Sequence, residues 1–324
     1  MAVYTPVLAE DLSRLLQRYD LGELISLQGI DGGIENTNYF VSLNQAGQVR
    51  EYVLTLFEEL SADEVPFFVE LGQWLAARDI PVPYAIKDQH GIALQQLSGK
   101  PCVLQPRFFG QDLPVEAIDV SACQQIGEAL AKLHLAGADF YLQRQAHRGV
   151  FWWRRESERV YSRLSHEDAE LLRDEVQAFD QLRSAQWDLP MGIIHGDLFS
   201  DNALFADQQL VAILDLYNAA TAYWLYDLAI VANDWCRTTQ GQIDPLRERA
   251  LIQGYAAVRP FTADEQRAWP RLTRTAAMRF WLSRLIPWLG LEQASRQGAS
   301  MKLKDPEAYR QILLSRIRTP AQLC

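Results

Sequence analysis

The residues best equipped for chemistry lie in one short run, GIIHGDLFSDN, at positions 192–202. It sets His195, Asp197 and Asn202 in a polar loop straight after an apolar strand. Thirteen residues beyond Asn202, the stretch LVAILDLYN puts Asp215 at the end of a second apolar strand. A carboxylate on a loop can orient an attacking hydroxyl and accept its proton, a role that falls to Asp197. A second carboxylate with an amide oxygen suits a hard divalent cation that also takes phosphate oxygens, a role for Asp215 and Asn202. Together these residue types point to phosphoryl transfer, in which positioning and charge stabilisation do most of the work. His195 is expected to hold the loop in shape. The competing reading makes His195 a satisfied core histidine and Asp197 and Asn202 ordinary turn formers.

Such a loop needs elements on either side to fix it. Before it, SLQGIDGGIENTNYFVSL reads as strand, glycine turn and strand, and EYVLTLFE as a further strand. SADEVPFFVELGQWLAARDIPVP reads as a helix, with Ser61 and Glu64 in the spacing of a capping box and a stop before Pro81 and Pro83. GIALQQL and KPCVLQPRF suggest two more strands. After Phe108 the pattern turns helical. Cys123, Ile126, Leu130 and Leu133 recur at helical spacing, and SHEDAELLRDEVQAFDQL opens with Ser165 placed to cap it. Short strands and a turn near Asp207–Gln208 interrupt the helices only around the chemical loop. The expected fold class is therefore α+β. A smaller N-terminal lobe with an antiparallel sheet spans 1–107, and a larger, mostly helical lobe spans 108–324. The hinge is expected near 105–114, a favoured place for a ligand cleft.

Composition narrows the partners. The 324 residues carry a formal net charge of −10, which argues against a nucleic-acid or anionic-membrane binder. Cys102, Cys123, Cys236 and Cys324 form no CxxC pair, so neither a disulfide framework nor a zinc site is suggested. No signal-peptide pattern opens the sequence, and the apolar run AATAYWLYDLAIVAN is interrupted by Asp227 and too short to span a bilayer. A cytoplasmic location is expected. Asp227 itself, inside that apolar run, needs partners if buried, and the amides around His195 would supply them. Gly32–Gly33, between two strands, can bring backbone N–H groups up to phosphates, although a plain hairpin turn explains them equally.

HGDLFSDN, LDLYN and YDLA, taken in order, resemble the aminoglycoside-phosphotransferase and choline-kinase superfamily of small-molecule kinases. The loop corresponds to the kinase pattern H-R-D-x-x-x-x-N, with Gly196 where that pattern has Arg. Stretches along the whole chain, among them GGIENTNYFV, VPFFVELGQWLA, ALAKLHLAGADF and RFWLSRL, are most similar to the homoserine kinases of that superfamily. The resemblance implies a bilobal protein-kinase-like fold, with ATP and Mg²⁺ as cofactors and L-homoserine as small-molecule partner. It implies Asp197 as the base, Asn202 and Asp215 as metal ligands, and Gly32, Gly33, Asn36 and Thr55 at the nucleotide. Thr55 stands where a kinase strand usually carries Lys, so a hydroxyl replaces a charge, and Arg50 or the metal is expected to neutralise the phosphates. For homoserine, Arg279 or Arg284 would hold the carboxylate and Asp234 the ammonium. The tryptophan-rich stretch FWWRRES keeps choline open as acceptor. Ethanolamine, an aminoglycoside or a methylthio-sugar would suit the same chemistry, and a nucleotide-binding pseudokinase would keep the fold without turnover.

Overall fold

The structure is a computed structural model and describes residues 3–30, 36–291 and 303–323. The chain divides into two compact units, Met1–Phe109 and Gly110–Cys324.

In the first unit, five strands form an antiparallel sheet: β1 (Glu23–Gly29), β2 (Asn36–Gln45), β3 (Gln48–Phe57), β4 (Gln95–Leu97) and β5 (Lys100–Pro106). Their spatial order is β1-β2-β3-β5-β4. Period-two patterning decides the two faces. Tyr39, Val41, Leu43, Tyr52, Leu54, Leu56 and Leu104 point to one face and pack on Leu12 and Leu16 of helix α1 (Ala9–Leu16). On the other face, Asn38, Thr55 and Val103 stand side by side across three strands. Register therefore settles where Arg50 goes: it pairs with Leu43, five residues before Thr55, and so projects to the α1 side. Its expected part in neutralising phosphates beside Thr55 is not supported by this geometry.

Two local expectations are corrected. The Ser61–Glu64 box does not cap a helix, because α2 (Val65–Ala76) starts after it, with Pro66 in its first turn. Ser61 instead donates both its N–H and its hydroxyl to Glu64 Oε2, each at 3.1 Å, closing a turn ahead of the helix. A proline without an N–H is best placed in a first turn, so it fixes the start. The strand expected over GIALQQL shortens to β4, because the Asp88 carboxylate gathers the N–H groups of His90 and Ile92 at 2.9 Å and folds that segment back.

The second unit is built from seven helices among the described residues: α3 (Val120–Gly137), α4 (Val150–Val160), α5 (His166–Ser184), α6 (Trp224–Trp235), α7 (Pro245–Val258), α8 (Ala263–Trp288) and α9 (Glu307–Arg318). Between α5 and α6 lie β6 (Met191–Ile194), β7 (Ala203–Ala206), β8 (Gln209–Ile213) and β9 (Ala220–Tyr223), paired β6–β9 and β7–β8. The β7–β8 hairpin turns on Asp207 and Gln208, both with positive φ, as a two-residue turn of this hand requires. Cys123, Ile126, Leu130 and Leu133 of α3 are buried as their spacing predicts. Ser165 caps α5 by accepting from Asp168 N at 3.1 Å.

One packing seam positions the site. α3 and α7 approach until backbone meets backbone: a Cβ at Gly127 would lie 2.2 Å from Leu251 O, and one at Gly254 would lie 2.2 Å from Gln124 O. Only glycine permits that spacing. It brings His134 of α3 to 2.7 Å from the Tyr255 hydroxyl of α7. Gly127→Ala should therefore force the helices apart, costing on the order of 1–3 kcal/mol. A melting temperature equal to wild type would refute this.

Candidate active site

The chemical loop leaves β6 at Ile194 and is held from beneath by one buried carboxylate. Asp227, fully buried on α6, accepts His195 N–H at Oδ2 (2.7 Å) and Gly196 N–H at Oδ1 (2.8 Å). A charge in the middle of an apolar run thus finds its partners in the amides of the loop. Gly196 adopts φ of +79°, and a Cβ there would come within 2.7 Å of Asn218 O. That close approach explains why glycine occupies the loop position where the kinase pattern has Arg.

His195 joins the two chemical strands. Its Nε2–H donates to Leu214 O at 2.8 Å, immediately before Asp215. With the proton on Nε2, its Nδ1 accepts from Asp197 N at 3.3 Å. Asn202 does the same from the far side of the loop. Its Nδ2 donates to Asp197 O at 2.9 Å, while its own backbone carbonyl accepts Leu214 N–H at 2.8 Å. Asp197, Asn202 and the residue preceding Asp215 are thus bound into one framework. Asp215 is itself left-handed, at φ 58° and ψ 59°. This backbone conformation is costly for a residue with a Cβ and concentrates at functional positions. The hydrogen bond made by the Asn202 side chain uses its nitrogen, which leaves Oδ1 available as an oxygen donor. A carboxylate and an amide oxygen are hard donors that fit Mg²⁺, whose other ligands come from phosphate and water. Among the described residues no group of three or more His, Cys, Asp or Glu could form an all-protein metal cage.

Residues that the sequence did not single out lie behind the loop. His134 Nε2 faces Asp227 Oδ2 at 3.1 Å, and its Nδ1 faces the Tyr255 hydroxyl. A carboxylate only accepts, so the ring proton sits on Nε2 and Tyr255 donates to Nδ1. Tyr255 in turn accepts from Arg259 Nε at 3.0 Å, and Arg259 is paired with Glu265 of α8. Burial alone would raise the Asp227 carboxyl, but the hydrogen bonds from His134 and the Gly196 N–H outweigh it and hold the carboxyl below its ordinary value. Burial drives His134 below its usual pKa, so it is neutral in the native protein. The only sequence signal for His134 was its place on the apolar stripe of α3.

Comparison with known proteins gives the family. Residues 26–261 match the phosphotransferase enzyme family. The chain belongs to that family. It is 40% identical to a homoserine kinase of Pseudomonas aeruginosa (strain LESB58) over 98% of this chain and 96% of that protein. It is 41% identical to a homoserine kinase of Methylobacillus flagellatus, over 100% of this chain and 98% of that protein. Solved structures share the fold at low identity. Spectinomycin phosphotransferase, in complex with ADP and spectinomycin, superposes with a TM-score of 0.71 at 15% identity, covering 96% of this chain and 98% of that one. Choline kinase from Cryptosporidium parvum superposes at 0.61 and 14%, covering 90% and 88%.

Within this phosphotransferase the remaining expected residues divide. Arg279 of α8 reaches the catalytic loop: its Nη1 lies 3.8 Å from Asp197 Oδ1. Its guanidinium stacks 3.7 Å above the Phe280 ring, and the residue is 3% exposed, with Nη1 making no hydrogen bond among the described residues. Arg284 lies further along α8, donating to Asp305 O at 3.0 Å with its guanidinium over the Tyr309 ring. Asp234 is otherwise engaged. Its Oδ2 accepts Ser200 N–H at 2.9 Å and its Oδ1 accepts from Arg237 Nε at 3.2 Å, so it braces the loop, which leaves the ammonium role without support. Burial raises the Asp234 carboxyl above its ordinary value, against the opposing pull of Arg237 and the Ser200 N–H. The FWWRRES stretch forms no open aromatic wall around Trp153, which is buried between Phe179 and Tyr226 and donates Nε1–H to Arg148 O.

In the first unit, Thr55 donates its hydroxyl to Asn38 Oδ1 at 2.7 Å, and Asn36 is buried at the start of β2. Gly32 and Gly33 lie outside the described residues. A cation does stand on the Thr55 face: Arg107 stacks 3.7 Å from the Phe40 ring and pairs with Glu51 at 2.6 Å.

The buried histidine sets a pH response. Native His134 stays neutral, whereas the unfolded chain takes up a proton there below about 6.5. Stability should therefore fall as pH drops below 6.5. Melting temperatures between about pH 7 and pH 5 check this. The slope should flatten in His134→Gln, although that variant starts from a lower stability.

Proposed function

We propose that the protein is an ATP-dependent homoserine O-kinase that converts L-homoserine to O-phospho-L-homoserine, the step that feeds threonine synthesis. The reading is carried by full-length similarity to homoserine kinases combined with an assembled Asp197, Asn202 and Asp215 framework. An intact framework argues against a pseudokinase, since a chain released from turnover has no need of a left-handed Asp215.

In the reaction, Asp197 accepts a hydrogen bond from the acceptor hydroxyl and orients its oxygen. That oxygen forms a bond to the γ-phosphorus while the bond from phosphorus to the β,γ-bridging oxygen breaks. The proton passes to Asp197 and ADP departs. Asn202 Oδ1 and Asp215 would hold Mg²⁺, which would neutralise charge on the phosphate oxygens. Arg279, whose Nη1 lies 3.8 Å from Asp197 Oδ1 and makes no hydrogen bond among the described residues, meets the negative charge on the transferring group. The acceptor carboxylate then falls to Arg284. Asn36 and Thr55, with Gly32 and Gly33, are assigned to the phosphates of ATP.

The test is ADP release with Mg²⁺–ATP, comparing L-homoserine with choline, ethanolamine, an aminoglycoside and L-serine. Homoserine should give the highest kcat/KM. Asp197→Asn should lower kcat by about 10²–10⁴-fold with the melting temperature kept. Asp215→Asn should fold normally, because Asn tolerates the left-handed backbone, and should lose activity unless metal is raised. Highest turnover with any other acceptor would reject the homoserine assignment. Full activity in Asp197→Asn would reject the mechanism.

A further inference from the structure

Resting on that reading, we infer that Tyr309 of α9 and Arg284 of α8 together form the subsite for the acceptor's carboxylate, with Tyr309 as a specificity-determining residue. Tyr309 belongs to the last helix, far in sequence from the catalytic loop, yet it packs against it. Its ring stacks on Phe199 of the loop at 6.0 Å and 12°, and lies 5.2 Å from Phe280 on α8. The Arg284 guanidinium sits 4.4 Å from the same ring. The residue is 1% exposed.

Its hydroxyl is buried and makes no hydrogen bond among the described residues. Native proteins rarely leave such a group unpaired, and each exception asks for an explanation. The neighbouring carboxylate does not provide one, because both Asp234 oxygens are taken by Ser200 N–H and Arg237. Burial, with Asp234 and Asp197 adding to it, drives the phenol well above its ordinary pKa, so it is a neutral O–H donor at neutral pH. The cations Arg284 and Arg237 act on the same group. A neutral donor beside a guanidinium is the pairing that recognises a carboxylate, and cationic neighbours disfavour a quaternary amine. The acceptor's carboxylate thus satisfies a hydroxyl that makes no hydrogen bond among the described residues.

Tyr309→Phe removes one oxygen and leaves the ring. Steady-state kinetics should compare L-homoserine with 3-aminopropan-1-ol, the same chain without a carboxylate, used as substrate or competing ligand. The variant should raise KM for homoserine roughly tenfold. Its KM for ATP and its KM or Ki for 3-aminopropan-1-ol should be unchanged. Arg284→Gln should show the same selectivity with a larger loss. The ligand-free melting temperature of Tyr309→Phe should equal or exceed wild type, since a buried hydroxyl with no hydrogen bond among the described residues has been removed. Unchanged homoserine kinetics, equal losses on both acceptors, or a lower ligand-free melting temperature would overturn the assignment while leaving the kinase activity standing. A wild-type enzyme that ignores homoserine would overturn the activity reading itself, and the silence of the wild type distinguishes that failure.

Discussion

Everything at the catalytic loop depends on one carboxylate that cannot reach water. Asp227 takes the N–H groups of His195 and Gly196 on separate oxygens, and without it both amides would be buried and unpaired. Removing one partner of such a buried charged group costs on the order of 3–5 kcal/mol, a large share of a domain's total stability. The charge is tolerable only because it is fully hydrogen-bonded, with His134 supplying the third contact. That histidine is in turn fixed by Tyr255, and Tyr255 by Arg259 and Glu265. A network of this kind rigidifies a site when every member is satisfied. The glycine seam between α3 and α7 is what makes the chain of contacts geometrically possible.

The loop shows how a site distributes its demands over backbone and side chains. Gly196 and Asp215 both take left-handed conformations, one by absence of a side chain and one at a cost. His195 and Asn202 then reach the same short segment around Leu214 from two directions. Asp197 is left as the part of the framework that still faces outward, 24% exposed at its side chain, with Arg279 as its cationic neighbour. Bracing and outward-facing groups are thereby separated: the Asp227 and His195 braces are buried and hydrogen-bonded, whereas the Asp197 carboxylate is partly exposed.

What could be read in the sequence follows from this separation. The catalytic loop was legible because phosphoryl transfer needs particular residue types at fixed spacing, and because local strands set the loop's ends. Asp227 was legible as a charge in an apolar run. The α3 stripe and the Ser165 cap were legible from periodicity and capping chemistry. His134, Tyr255 and Tyr309 were not, because each sits at an ordinary core position on its own helix and gains meaning only through a partner on another helix. The bracing contacts of Asp234 were hidden for the same reason, since a carboxylate near such a loop can brace it or bind substrate, and its partners Ser200 N–H and Arg237 show only in the fold. The Ser61–Glu64 spacing carried a capping signal that Pro66 overrode.

The sheet of the first unit has its own consequence. On the face that carries Thr55, strands β2, β3 and β5 bring together Asn38, Thr55 and Gln105, which are neutral, while Arg107 is balanced by Glu51. An anion resting on such a surface is held by directed hydrogen bonds and not by excess positive charge. Counter-ions screen long-range attraction between exposed charges but do little to a short hydrogen bond, which here would come from a side-chain amide N–H, since the Thr55 hydroxyl is already donated to Asn38 Oδ1. Anion capture by this face should therefore depend on ionic strength much less than it would on a sheet armed with a free lysine.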